Sequence, residues 1–160
     1  MDALKVYDRV CAECSVLATK AYSTSFSLGI RFLSQPLREP IYSIYGYVRF
    51  ADEIVDTFHH TDKAVLFDRF KKDTDRALEE GISLNPILHA FQQVYNKYSL
   101  EKEHVDLFLQ SMEWDLKRAD YDRTDFEQYV VGSAEVVGLM CLKVFVGGNQ
   151  AEYDRLRPSA

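Results

Sequence analysis

The chain has 160 residues, of which 47% are apolar and 28% charged, a balance that suits one globular core and excludes a disordered or collagen-like polymer. Its net charge of −6 comes without a basic stripe, which argues against nucleic acid as a partner and means that an anionic ligand would call for a bridging cation. Cys11, Cys14 and Cys141 are an odd number with no secretory signal before them, so a disulfide framework is not expected and the chain reads as reduced and cytoplasmic.

Taken in order, the elements are helix after helix, with no strand alternation bounded by hairpin turns. The first helix is expected over Leu4 to Thr19 and contains the C-x-x-C pair Cys11 and Cys14. With no strand before it and no second pair, these read as two small helix residues rather than a zinc or redox site. Tyr22-Ser-Thr-Ser-Phe-Ser27 is a hydroxyl-rich connecting loop that offers donors to an anion.

The next helix runs from Glu39 to Phe58, with Pro40 in its first turn. Further helices are expected over Asp62 to Glu80, Pro86 to Lys97, Glu101 to Arg118 and Asp125 to Gly147. Thr61 or Asp62 and Asn85 serve as N-caps. The stretch from Val130 to Gly148 is the most apolar, but Glu135, Lys143 and four glycines interrupt it, so it reads as a buried helix rather than a membrane span. His59 and His60 suit the end of the motif helix, where cations favour the dipole. His89 and His104 are expected to face solvent.

The helix from Glu39 to Phe58 carries the chemistry. Ile41, Ile44, Val48, Ala51, Val55 and Phe58 recur at spacings of three and four and form a core-facing stripe. Tyr45, Arg49, Asp52 and Asp56 make a second stripe beside it. Two carboxylates one turn apart repel each other unless a cation joins them. Mg²⁺ takes oxygen ligands, keeps several waters and bridges carboxylates to phosphate. Glu53 points about 100° away from Asp52 and is the weaker ligand. A lone D-x-x-x-D is unspecific, and a solvated helix face is its bland alternative.

The run from Ile44 to Asp56 resembles the first aspartate-rich motif of the squalene and phytoene synthases. Ser23-Thr-Ser-Phe-Ser27 is similar to their S-x-S-F-S segment, Met112-Glu-Trp-Asp-Leu116 to their M-E-x-D-L motif, and Tyr129 to Gly138 to their Y-C-x-x-V-A-G-x-V-G helix. Four motifs in order are far more specific than one, and among the branches the match is closest to bacterial phytoene synthases. Val130 and Glu135 depart from that last motif, and Tyr22 stands where some dehydrosqualene synthases have His. The family's second aspartate-rich motif would follow Ala160.

The resemblance implies an all-α, isoprenoid-synthase-type helical bundle, truncated before its C-terminal helices, with residues 1–160 as the N-terminal part of one domain. It implies a Mg²⁺-dependent head-to-head prenyltransferase, with prenyl diphosphates as substrates and phytoene from two geranylgeranyl diphosphates as product. Asp52 and Asp56 would hold the metal, Arg49 would contact phosphate with Tyr22, Ser23 and Ser25, and Tyr45 and Tyr129 would border the reacting carbons. Phe26, Gly132, Ser133, Ala134 and Gly138 would shape an apolar tunnel, although close helix packing explains Gly132 and Gly138 as well. The alternatives are a squalene- or dehydrosqualene-type enzyme using farnesyl diphosphate, a non-catalytic relative acting as a binding module, and a plain helical bundle. The 160 residues alone are expected not to turn over, and to self-associate through an uncovered apolar face. Peripheral attachment to the inner membrane is expected because substrate and product are greasy.

Overall fold

The computed structural model describes residues 2–117 and 123–160, without the side chains of residues 123–125. Its helices are α1 (Ala3–Tyr22), α2 (Thr24–Arg31), α3 (Gln35–Asp56), α4 (Lys63–Glu80), α5 (Pro86–Tyr98), α6 (Lys102–Lys117), α7 (Arg123–Val130), α8 (Val136–Phe145) and α9 (Gln150–Leu156). A π-helical segment, Val131–Glu135, joins α7 to α8, and a 3-10 turn, Arg157–Ser159, ends the chain. No strand occurs among the described residues, so the all-α expectation holds. The expected end of α6 at Arg118 lies outside the described residues.

The start and stop signals act as their chemistry dictates. Asp62 Oδ1 accepts from the Val65 amide at 3.1 Å and caps α4. Asn85 Oδ1 accepts from the amides of Ile87 (3.0 Å) and Leu88 (3.3 Å) and caps α5, whose first residue is Pro86. Gly81 closes α4 at φ +69°, a left-handed conformation that costs glycine little. The last turn of α3 is closed by Lys63, whose Nζ donates to the Val55 carbonyl at 2.5 Å. That places Lys63 in the role expected of His59 and His60, which lie exposed beyond the helix.

Three expectations are corrected. Tyr22 to Ser27 is not a loop: Ser23 breaks α1 and at once caps α2, its Oγ accepting from the Phe26 amide at 3.2 Å. Pro40 does not open its helix. α3 starts at Gln35, with Pro36 in the turn where a missing N–H costs nothing, and Pro40 lies inside. His89 and His104 are buried, at 2% and 4% exposure. His89 Nδ1 accepts from the Ser83 amide at 3.3 Å, which puts its proton on Nε2, 2.8 Å from Asp8 Oδ1.

The chain forms two compact units. The first comprises Met1–Phe50 and Lys72–Lys97. Its core includes Cys11, Ile30, Ile44, Tyr47, Leu88 and Phe91, with the Tyr47 and Phe91 rings stacked at 3.9 Å between centroids. Gly46 lets α3 approach α1, because a Cβ there would meet Ser15 at 3.2 Å.

The second unit comprises Ala51–Lys71 and Tyr98–Ala160. Phe67, Val105, Phe108, Met112, Met140, Val144 and Tyr153 fill its core. Lys143 is buried there too, its Nζ beside Gln150 Oε1 and 4.6 Å from the Tyr153 ring centroid, so a polar partner and an aromatic face share its charge. Phe126–Phe145 is long and apolar enough to cross a membrane by length and composition, and only 28% of its most apolar window is buried. The buried helix expected there is therefore buried on one face: Val136, Met140 and Val144 point inward, while Phe126, Val131 and Phe145 stay exposed.

Candidate active site

α3 presents the second stripe that its spacing predicts and most of the core-facing one, for Val48 is only half-buried and Phe58 lies half-buried beyond the end of α3 at Asp56. Ile41, Ile44, Ala51 and Val55 are buried, while Tyr45, Arg49 and Asp52 are half-buried and Asp56 is exposed. One helix face thus grades from an aromatic through a cation to two carboxylates, becoming wetter toward Asp56. Glu53, the weaker candidate by angle, is turned into the core at 6% exposure.

Within the first unit, two aromatic contacts arm this face. The Phe26 ring stacks on Tyr45 with 4.7 Å between centroids and 25° between planes. The Arg49 guanidinium carbon lies 4.5 Å from the centroid of Tyr22, a cation–π contact that orients the side chain. Ser23 spends its hydroxyl on the α2 cap, so its part at the site is to shape the α1–α2 corner. Ser25 is exposed in the first turn of α2, where helix geometry leaves amide donors without intrahelical acceptors.

Within the second unit, Tyr129 senses the carboxylates. Burial holds its hydroxyl pKa above the ordinary value of 10.0, and the negative charges of Asp115, Asp52 and Asp56 push it the same way, against a lowering hydrogen bond with Ser133. Tyr129 therefore keeps its hydroxyl proton at neutral pH, in the field of these carboxylates. Asp115 acts on it more strongly than either motif aspartate. Asp115 lies within the Met112–Leu116 motif, and no helical spacing ties it to Asp52 in the sequence.

Tyr129 is followed by the π-helical segment, the kind of interruption often found at functional sites. Ser133 Oγ donates to the Tyr129 carbonyl at 2.7 Å, and the Val136 amide reaches back five residues to Val131. Gly132 explains the tight fit: a Cβ there would lie 2.7 Å from Ser111 Cβ and 2.8 Å from the Leu107 carbonyl oxygen. Gly138, expected to pack as closely, faces open space. Beside the segment lies a cleft of about 250 Å³ lined by Leu107, Trp114, Val131 and Gly132 among others.

Asp52 and Asp56, one turn apart on α3, are the residues that could hold a divalent cation. No group of three or more His, Cys, Asp or Glu side chains poised around one metal position occurs among the described residues. Two carboxylates one turn apart suit Mg²⁺, which keeps several waters and completes its shell with substrate phosphate.

The model of one protein family, squalene/phytoene synthase, matches residues 19–159. A presqualene diphosphate synthase of Rhodopseudomonas palustris is 27% identical over 128 residues, covering 78% of this chain and 45% of the relative. The chloroplastic phytoene synthase of Daucus carota is 29% identical over 150 residues, covering 88% of this chain and 34% of the relative. Among solved structures, the squalene synthase HpnC from Alicyclobacillus acidocaldarius is similar at a TM-score of 0.81 and 25% identity, over 95% of this chain and 57% of that one. A dehydrosqualene synthase in complex with ligand shares the fold at a TM-score of 0.74 and 22% identity, over 89% and 50%. The chain spans less than half the length of these two curated relatives.

Proposed function

From the premise that the chain belongs to the squalene/phytoene synthase family, we propose that the protein is a Mg²⁺-dependent prenyltransferase that joins two geranylgeranyl diphosphates head to head into phytoene. The observation that carries this reading is the face of α3 that bears Tyr45, Arg49, Asp52 and Asp56, together with a protonated Tyr129 in the field of both aspartates.

The reaction begins with an allylic C–O bond breaking, which leaves a carbocation and a diphosphate. Loss of that leaving group requires its charge to be neutralised in a dry site. Mg²⁺ held by Asp52 and Asp56 would supply electrostatic stabilisation of the diphosphate. Arg49 would bind a phosphate oxygen through its planar fork, backed by the Tyr22 ring. Amides of the first turn of α2 and the exposed Ser25 hydroxyl would orient the same group, with Ser23 holding the turn through its cap.

The carbocation then attacks the double bond of the second substrate, a proton leaves and a cyclopropane closes. The second diphosphate ionises, the skeleton rearranges, and loss of a further proton gives the triene without any reductant. Tyr45 and Tyr129 would face the cation with ring and hydroxyl oxygen. Tyr129, being protonated, stabilises charge and is not a general base.

A second reading is favoured by the names of two similar proteins, a presqualene diphosphate synthase and a squalene synthase. It keeps the chemistry and shortens the substrate to farnesyl diphosphate. The test supplies Mg²⁺ with either diphosphate to the full-length protein, with the 160 residues alone as an inactive control, and identifies the hydrocarbons formed. Phytoene, lost in Asp52→Ala, supports the first reading. A farnesyl-derived product moves the assignment to the second, and no product from either substrate overturns both.

A further inference from the structure

A groove in the first unit runs between α1, α2 and the start of α3, with a volume near 1150 Å³. Arg9, Lys20, Arg31, Arg38 and Lys97 line it. Only two carboxylates, Glu13 and Glu39, stand among them. On a chain of net charge −6, this is a local reversal of sign. It escapes a linear reading because its cations come from four helices.

Of these cations, Arg9, Lys20 and Arg31 are only lightly engaged with carboxylates. Arg9 and Glu13 are 3.9 Å apart and both largely exposed, a separation and setting worth little. Arg38 donates through Nε to the Leu33 carbonyl at 2.9 Å, which fixes it at the α2–α3 corner. Lys20 and Arg31 have no carboxylate within ion-pair distance among the described residues. Five cations focused in a concavity make a potential that attracts phosphate.

A free phosphate would explain the charge and nothing else. α2 adds an apolar component. Leu28, Arg31 and Phe32 follow at i, i+3 and i+4 and so share one face. Leu28 is 51% exposed and Phe32 84% exposed. A bare phenylalanine and leucine one turn apart, with a cation between them, are the parts of an interfacial helix.

We propose that this groove and the outer face of α2 dock on a bilayer that carries anionic phospholipid. Headgroup phosphates enter the groove against Lys20 and Arg31, while Leu28 and Phe32 enter the acyl boundary. The docking rests on Lys20, Leu28, Arg31 and Phe32, none of which is assigned to diphosphate, metal or carbocation, and the groove meets the Ser23 to Ser25 turn only at Thr24.

The test is sedimentation of the protein with vesicles of phosphatidylcholine alone or of equal parts phosphatidylcholine and phosphatidylglycerol, without prenyl substrate or metal. Binding is expected to the anionic vesicles only, and to weaken as salt is added. Each basic residue near an anionic surface contributes about fivefold to partitioning, so Lys20→Glu with Arg31→Glu should lower binding by about 25-fold or more. Phe32→Ser, with every charge kept, should also release the protein. Thermal melts of the variants matching the parent keep folding out of the comparison. Equal binding to neutral and anionic vesicles, or none to either, overturns the proposal. So does binding that inorganic diphosphate abolishes and Phe32→Ser leaves unchanged, which would make the groove a site for soluble anions.

Discussion

At the scale of single residues, the candidate site sets negative charge in the field of a tyrosine. After burial, Asp115 is the largest cause of the raised Tyr129 pKa, followed by Asp52 and then Asp56, with Ser133 opposing between them. Replacing Asp115 by Asn removes a charge and keeps the shape, so the Tyr129 hydroxyl should titrate at lower pH. The ring-carbon shift of Tyr129, followed by NMR, would report it, and an unmoved midpoint would remove Asp115 from the site. Asp52→Asn should act in the same direction and more weakly. It should also weaken Mg²⁺-dependent binding of inorganic diphosphate, by about 10-fold or more if one ligand bond is lost, as read by calorimetry. Equal diphosphate binding with and without Mg²⁺ in the parent protein would show that these carboxylates hold no bridging cation. The two motif aspartates were legible in the sequence because one helix sets their spacing. Asp115 was not, because its nearness to Tyr129 depends on how α6 and α7 come together.

At the scale of elements, what could be read was whatever a local rule determines. Asn85 and Asp62 mark helix starts through hydrogen bonds reaching two or three residues, and Pro86 does so through its fixed φ and missing N–H, so these starts are legible in the sequence. α2 was missed because its hydroxyls look like loop residues, yet one of them is the cap that makes the helix. His89 and His104 were placed outward because polar residues usually lie there. His89 is buried because the Ser83 amide, six residues before it, and Asp8, remote in sequence, satisfy its two nitrogens. The glycines of the Tyr129 to Gly138 segment separate the same way. Gly132→Ala would drive a methyl into the Leu107 carbonyl and Ser111, and backbone cannot yield as a side chain can. A loss of about 1–3 kcal/mol is expected from such overpacking. Gly138→Ala enters open space inside α8 and should stabilise by up to about 1 kcal/mol through helix propensity. Thermal melts of the two variants should therefore move in opposite directions, and a common direction would show that the π-helical segment is not held by this contact.

At the scale of the whole molecule, the shifted groups define a window of pH in which the fold is most stable. On the acid side, burial lowers the His104 pKa below 6.5, with Glu101 at 3.4 Å opposing that shift. The folded chain therefore binds fewer protons than the unfolded one, and stability falls as pH drops below 6.5. Glu113 adds a second loss further down, because hydrogen bonds from Lys117 and Lys71 hold its pKa below 4.5, and its contribution disappears as it is protonated. On the alkaline side the sign reverses. Burial raises the thiols of Cys11 and Cys141 above 9.0, Cys141 to about 11 although the residue as a whole is only half-buried. Burial likewise raises Tyr7, Tyr129 and Tyr153 above 10.0. These groups keep protons that the unfolded chain gives up, so their stabilisation is complete below pH 9 and is lost above it. Melting temperature against pH should thus form a plateau between 6.5 and 9 and fall on both sides. His104→Gln should flatten the first part of the acid limb and leave the alkaline limb in place, because the two limbs belong to different residues. A melting temperature still rising above pH 9, or an acid limb unchanged in the variant, would mean that these buried groups do not govern the stability of the fold.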